Sequence, residues 1–197
     1  MHNPLASDDL AADKRRCRVA AAGIRALAHA SVGAKAGTRL AATGLDFLGL
    51  EPRVVSGFKS FADEIDVMPL MARLAGKGWR TALPVVVGRG RPLLFRAWAP
   101  GEPTVAGAMS IPVPLDTAPE LEPDVLLVPM LAFDGQGFRL GYGGGFYDRT
   151  LAGLRASKPV VAVGVAFAAQ EVAKLPRGRH DEPLDWILTE DGPRSCG

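Results

Sequence analysis

Apolar positions recur along this chain with two periods, and the two alternate. Residues 8–31 space them as a helix does, with Ser7 as the candidate N-cap and Asp8 and Asp9 favourable in the first turn. Gly33 and Gly37 predict a break, and residues 37–49 suit a second, weaker helix. Arg53 to Phe58 is a short strand candidate, and Ile65 to Leu74 returns to the helical period, ended by Gly76 and Gly78. Ala82–Val87 and Leu93–Trp98 read as two strands joined by the turn sequence GRGRP, a hairpin. Residues 99–123 are too rich in proline for continuous regular structure. Val125–Pro129 is a further strand, Gly145–Ala156 a helix, and the wholly apolar run Val160–Phe167 a buried central strand. Ala168–Lys174 suits a short helix and Leu184–Thr189 the last strand. Strands that alternate with helices predict an α/β fold, one domain over residues 1–197 with a small hairpin excursion near 82–98.

Composition adds constraints more than content. At 197 residues, with 48% hydrophobic and 22% charged, the chain can bury a sizeable core. A net charge of +2 gives no electrostatic case for nucleic acid. The early acids Asp8, Asp9 and Asp13, and Arg25 within the alanine-rich stretch, do not suit a signal peptide, and no apolar run has the length of a membrane span. Cys17 and Cys196 form no CxxC pair, so a zinc site or a disulfide framework is not indicated. The expectation is a soluble, cytoplasmic protein without a nucleic-acid, membrane or obligate protein partner.

The chemistry concentrates in DVLLVPMLAFDGQGFRLGYGGGFYDRTL, residues 124–151. A strand leads into a loop holding Gly135, Gly137, Gly141, Gly143 and Gly144, and a helix begins near Gly145. Such a junction offers backbone N–H groups to a phosphate. Neither GxxxxGK[ST] nor GxGxxG is present, since Phe146 stands where the last glycine of the latter belongs. Four glycines between 141 and 145 exceed what a tight turn asks for, which favours close approach by a ligand. Arg139 and Arg149 flank the loop as candidate phosphate partners, and Asp148 is either a helix-end charge or a hard oxygen ligand for magnesium.

Three further clusters stand out. In KRRCR, Lys14 and Arg18 share a helix face and could hold one anion, whereas Arg15 and Arg16 read first as a solvated face. In KSFADEI, Glu64 is either a helix-end charge or an acceptor for a ligand's N–H groups. His180 and Asp181 precede the last strand, but no GxSxG elbow supplies a nucleophile for a triad.

Together these motifs resemble the 5-formyltetrahydrofolate cyclo-ligase family, also called 5,10-methenyltetrahydrofolate synthetases. LVPMLAFDGQGFRLGYGGGFYDRTL is similar to the family signature, KRRCR to its N-terminal basic segment, DEI to a substrate-contacting stretch, and LPRGRHDEPLDWILTE to its closing segment. The resemblance implies a three-layer α/β/α sandwich with a mostly parallel central sheet. It implies closure of 5-formyltetrahydrofolate to 5,10-methenyltetrahydrofolate with ATP as co-substrate and Mg2+ as cofactor. It assigns Lys14, Arg15, Arg16, Cys17 and Arg18, with Arg139, Gly141, Tyr142, Gly143, Gly144, Gly145, Phe146, Tyr147, Asp148 and Arg149, to ATP. Lys59, Glu64 and the loop Tyr142–Phe146 fall at folate-contacting positions, and Asp148 and Asp181 correspond to metal ligands. Phe146 keeps a ring but lacks the hydroxyl usual there, and Met109 and Val113 depart from the family's proline loop. The departures at Met109 and Val113 motivate the alternative of a non-catalytic or altered-substrate relative that binds folate or nucleotide.

Overall fold

The computed structural model describes residues 4–196, and side chains from residue 9 onward. Helix α1 spans Pro4–Thr43 without interruption. Ser7 therefore lies inside the helix and not at its cap, and its side chain is outside the described residues. The buried positions of α1 are Ala21, Arg25, Ala28, Ala36, Gly37 and Leu40, a stripe at helical spacing.

The predicted break at Gly33 and Gly37, and with it the separate helix at 37–49, is not found. A Cβ on Gly37 would stand 2.6 Å from the Asp66 carbonyl oxygen, so this glycine lets α1 press against the segment leading into α2. Helix α2, Met68–Gly76, starts with a proline in its first turn, where the missing N–H is no loss. It buries Leu70, Met71 and Leu74.

The central sheet is assembled from β1 (Val54–Ser56), β2 (Arg80–Val86), β3 (Leu93–Ala97), β6 (Val125–Pro129), β9 (Val161–Val165), β11 (Trp186–Thr189) and β12 (Gly192–Ser195). Their order is β12-β11-β9-β6-β1-β2-β3. The inner strands pair in parallel, for example Val55 with Val125 and Leu127 with Val163, and only the two outer pairings are antiparallel. Pro84 can sit in β2 because β1 ends opposite Ala82 and asks nothing of the strand beyond that point.

One face of the sheet packs Val55, Val125, Leu127, Val163 and Leu188 against α1 and α2. The other packs Leu126, Val128, Ala162 and Ile187 against Leu151 and Leu154 of α3, Phe146–Ser157. This is the expected three-layer sandwich, and the hairpin β2–β3 is present.

Leu184–Thr189 is not the last strand, because the chain turns back at Gly192 and β12 pairs antiparallel with β11; neither β12 nor the remaining strands were announced by periodicity. Thr104–Ala106 (β4) and Pro112–Pro114 (β5) pair as a two-stranded ribbon. Ala132–Asp134 (β7), Arg139–Leu140 (β8) and Glu171–Val172 (β10) form a small second sheet. The helix expected at 168–174 is a single 3-10 turn, Ala168–Gln170, followed at once by β10. Glu171 is drawn into pairing opposite Phe133, so tertiary pairing overrides a weak local preference.

The topology sets the position of any site. From β1 the chain moves to β2 on one side, and from β6 it moves to β9 on the other. The carboxyl ends of β1 and β6 therefore flank a switch point, where loops diverge and open α/β sheets hold ligands.

Candidate functional site

Two loops leave the switch point. The one after β1 carries Lys59, Asp63 and Glu64; the one after β6 leads through β7 and β8 to Gly141–Gly145. Helix α1 lies across both and adds Lys14, Arg18 and Arg25 from one stripe.

Glycines that look alike in sequence separate by role. Gly135 and Gly137 belong to the turn between β7 and β8. Asp134 holds that turn by accepting the N–H groups of Gln136 at 3.0 Å and Phe138 at 3.1 Å. These two are turn glycines and not part of a phosphate loop. In the loop itself Gly143 and Gly145 have φ of +97° and +65°, conformations that strain any other residue. A Cβ on Gly144 would meet the Phe146 ring at 2.7 Å. Gly141 alone has neither a positive φ nor any atom within 4 Å of the place a Cβ would take, so the fold gives no reason for it.

The basic side chains gather on one side of this loop. Arg18 Nε donates to the Gly141 carbonyl at 2.8 Å. Arg139, 5% exposed, donates to Asp148 Oδ1 at 2.7 Å and to the Glu182 carbonyl at 2.5 Å. The Glu182 N–H donates to the same Asp148 oxygen at 3.2 Å, which draws the closing segment against α3. Its neighbour Asp181 takes Lys14 Nζ on both oxygens, at 2.7 and 2.5 Å, and the Gly178 N–H at 2.6 Å. Arg149 donates to the Gly144 carbonyl at 2.6 Å, and its guanidinium lies 5.5 Å from the Phe146 ring.

Other members of the set expected around the nucleotide stand apart. Arg15 and Arg16 are exposed, and Arg16 pairs with Asp13 on its own helix. Cys17 packs with Ala21, Leu131, Leu140 and Leu175 over the small sheet. Tyr147 packs inward against the core beneath α3, and burial pushes its phenol far above the usual range.

The other side of the loop is acidic and aromatic. Glu64 is buried, its Oε2 accepting the Phe61 N–H at 2.9 Å and its Oε1 the Tyr142 hydroxyl at 3.2 Å. Burial raises its pKa, and the Phe61 N–H and the Arg25 charge pull against that rise. The Tyr142 ring is exposed and meets Phe61 edge-on at 6.2 Å. Lys59 lies over the Trp98 ring at 4.0 Å and donates to Met68 Sδ at 3.4 Å; burial lowers its pKa.

In the sequence Arg25 stands out only as an interruption of an alanine-rich stretch, yet it is buried at the centre of this acidic side. The signal is present: positions 14, 18, 21, 25 and 28 fall on one helical stripe, and an arginine on a stripe of alanines that packs inward must find partners.

A three-layer α/β/α fold with a glycine loop at its switch point, and basic and acidic side chains around it, is an arrangement in which open α/β sheets hold small ligands. The profile of the 5-formyltetrahydrofolate cyclo-ligase family matches residues 49–190. The chain belongs to that family. The 5-formyltetrahydrofolate cyclo-ligase of Escherichia coli (strain K12) is 40% identical over 141 residues, 68% of this chain and 76% of the relative. That of Haemophilus influenzae is 37% identical over 134 residues, 66% and 71% of the two chains. The structure of Aquifex aeolicus 5,10-methenyltetrahydrofolate synthetase superimposes with a TM-score of 0.75 at 25% identity, over 93% of this chain and 92% of that one. The structural match thus takes in most of the chain, whereas the family profile begins only after α1. Among the described residues, no helix is long and apolar enough to cross a membrane.

Proposed function

We propose that this chain closes 5-formyltetrahydrofolate to 5,10-methenyltetrahydrofolate, using ATP with Mg2+ and releasing ADP and phosphate. One observation carries the reading. In the loop Gly141–Gly145 the Gly141 carbonyl takes Arg18 and the Tyr142 hydroxyl reaches Glu64, while Arg139 on Asp148 and Lys14 on Asp181 add charge beyond the loop, so a phosphate and a ring with N–H donors can meet across it.

The residue types suit the reaction. A formamide carbon is a poor electrophile and its oxygen a poor leaving group. Attack of the formyl oxygen on the γ-phosphorus expels ADP and leaves a phosphorylated iminium. N10 then attacks the formyl carbon, loses its proton, and phosphate departs. Phosphoryl transfer of this kind asks for positioning and charge stabilisation, and no protein nucleophile is needed. Lys14, Arg18 and Arg139 supply charge beside the loop, and Glu64 orients the folate ring by accepting its N–H groups. Lys59, on its aromatic seat at the end of β1, is a contact on the folate side.

The carboxylates fit a magnesium ion in a restricted way. Asp148 takes Arg139 and the Glu182 N–H on Oδ1, leaving Oδ2 open among the described residues. Asp181 is held on both oxygens by Lys14, so it becomes a ligand only as Lys14 turns to the phosphate. No three His, Cys, Asp or Glu side chains gather as a cage among the described residues. One or two carboxylates completed by phosphate oxygens and water is a usual magnesium arrangement. When bound, the ion would neutralise charge on the transferring phosphoryl group.

Incubating the protein with ATP, Mg2+ and 5-formyltetrahydrofolate tests the reading through absorbance of the methenyl product. Folded protein that forms none refutes it, and folate binding without ADP release supports the non-catalytic relative instead. Asp148→Ala should abolish turnover with the fold retained; full activity in that variant removes Asp148 from the metal role.

A further inference from the structure

Arginine is seldom fully buried, and burying it among carboxylates does not in general stabilise a fold better than an apolar side chain of the same volume. Arg25 is nevertheless only 4% exposed and fully engaged. Its Nε and Nη2 donate to Asp63 Oδ1 at 3.0 and 2.5 Å, and its Nη1 donates to the Tyr142 hydroxyl at 2.6 Å. Nη1 also stands 3.7 Å from Glu64 Oε1. One guanidinium thus ties α1 to the loop after β1 and to the glycine loop after β6. Between those partners Ala62 has a φ of +54°, an uncommon conformation that the surrounding bonds sustain.

The arrangement is centred on Glu64. A buried carboxylate with no partner takes up a proton and becomes a donor. Besides the Phe61 N–H, four side chains bear on its charge: Arg25 from α1, Asp63 from its own turn, Tyr142 from the glycine loop and Tyr147 from α3. The exposed His29, one turn further along α1, acts on Asp63. Arg25 is the cation in direct reach of Glu64. The Tyr142 hydroxyl, held by Arg25 Nη1, rests on Oε1 as a ligand N–H would, and the residue is 52% exposed, open to a ligand from solvent.

We propose that Arg25 is a specificity-determining positioning residue: it keeps Glu64 an acceptor and seats Tyr142 beside it, so that the site selects a planar ring with adjacent N–H donors. The proposal rests on the folate reading above, because the pyrimidine edge of a tetrahydropterin presents such donors.

The test is calorimetric binding of 5-formyltetrahydrofolate to the full chain, without ATP, from mildly acidic to neutral pH. Arg25→Gln should weaken binding about tenfold or more near neutrality and move its acid limb up by about one pH unit or more, since each unit is a tenfold change in the ionised fraction. Arg25→Lys, which keeps the charge and loses the fork, should fall between this variant and the parent. Unchanged binding overturns the proposal. So does weakening by the same factor at every pH, which is what a merely structural role would give. Should Arg25→Gln fail to fold, Arg25→Lys decides alone: a parental acid limb and parental affinity overturn the proposal. An unmodified protein that binds the folate but makes no methenyl product refutes the cyclo-ligase reading and leaves this inference standing. One that binds no folate refutes both.

Discussion

Replacing Gly141 by alanine separates two explanations of the glycine loop. Gly143 and Gly145 hold positive φ, and Gly144 lies against the Phe146 ring, so each has a reason internal to the fold. Gly141 has neither, and nothing lies within 4 Å of the site a methyl would take. For a residue whose native conformation alanine can adopt, Gly→Ala stabilises by about 0.4–1 kcal/mol, mainly by reducing the freedom of the unfolded chain. In a protein of this size that is a rise in Tm of about 1–4 °C. If ATP or folate lies against this backbone, the same methyl presses on it, and a misfit of about 1.4 kcal/mol is already tenfold in kcat/KM. The expectation is thus a protein at least as stable as its parent and about tenfold or more less active. Thermal melting followed by circular dichroism and the methenyl absorbance assay measure the two quantities. Gly143→Ala is the contrast: its φ should cost about 1–2 kcal/mol, lowering Tm by about 2–8 °C. Parental activity in a stable Gly141→Ala protein would refute the argument that a ligand approaches there.

Two further predictions concern the scaffold. Gly37→Ala gains helix propensity worth about 1 kcal/mol but drives a methyl to 2.6 Å from the Asp66 carbonyl oxygen, an overpacking that costs about 1–3 kcal/mol. Denaturant melts should show a net loss of up to about 2 kcal/mol, and a gain would mean that α1 does not lie against that segment. Asp124 accepts the Val54 N–H at 3.1 Å and Lys158 Nζ at 3.0 Å; burial pushes its pKa up, but these partners win and hold it below the ordinary value. A depressed folded pKa contributes stability above the unfolded value of about 3.9 and loses it as pH falls through the folded one. Asp124→Asn should therefore be less stable by about 0.5–1.5 kcal/mol near neutrality. The gap should narrow as pH falls through the folded value, and a gap unchanged by acid would refute the charge as its cause.

Long periodic segments were legible in the sequence, and so was the family. Val125–Pro129 and Val160–Phe167 are apolar throughout because both faces of a central parallel strand are covered, and such runs have few other readings. The hairpin at GRGRP declared itself through its turn residues. The basic segment, Glu64, Arg139 and Asp148 were recognisable as chemistry because their residue types exceed what a core requires. The short pairs β4–β5 and β7–β8 were not legible, since two or three residues carry no period. Gly33 and Gly37 read as a break because propensity is local, whereas the reason for Gly37 is a carbonyl from a distant segment.

By itself, then, the order of residues determined the layers of the fold, the glycine loop and the family. These follow from periodicity and local conformation, which each segment carries with it. Only the tertiary structure decided which charges belong together. Arg25 is one basic residue among many until α1 crosses the carboxyl ends of β1 and β6 and brings it to Asp63, Glu64 and Tyr142. Likewise Lys14 and Asp181 sit near opposite ends of the chain and meet only when the sheet is assembled. The worth of a charge depends on its burial and its nearest partners, and both are properties of the packed molecule.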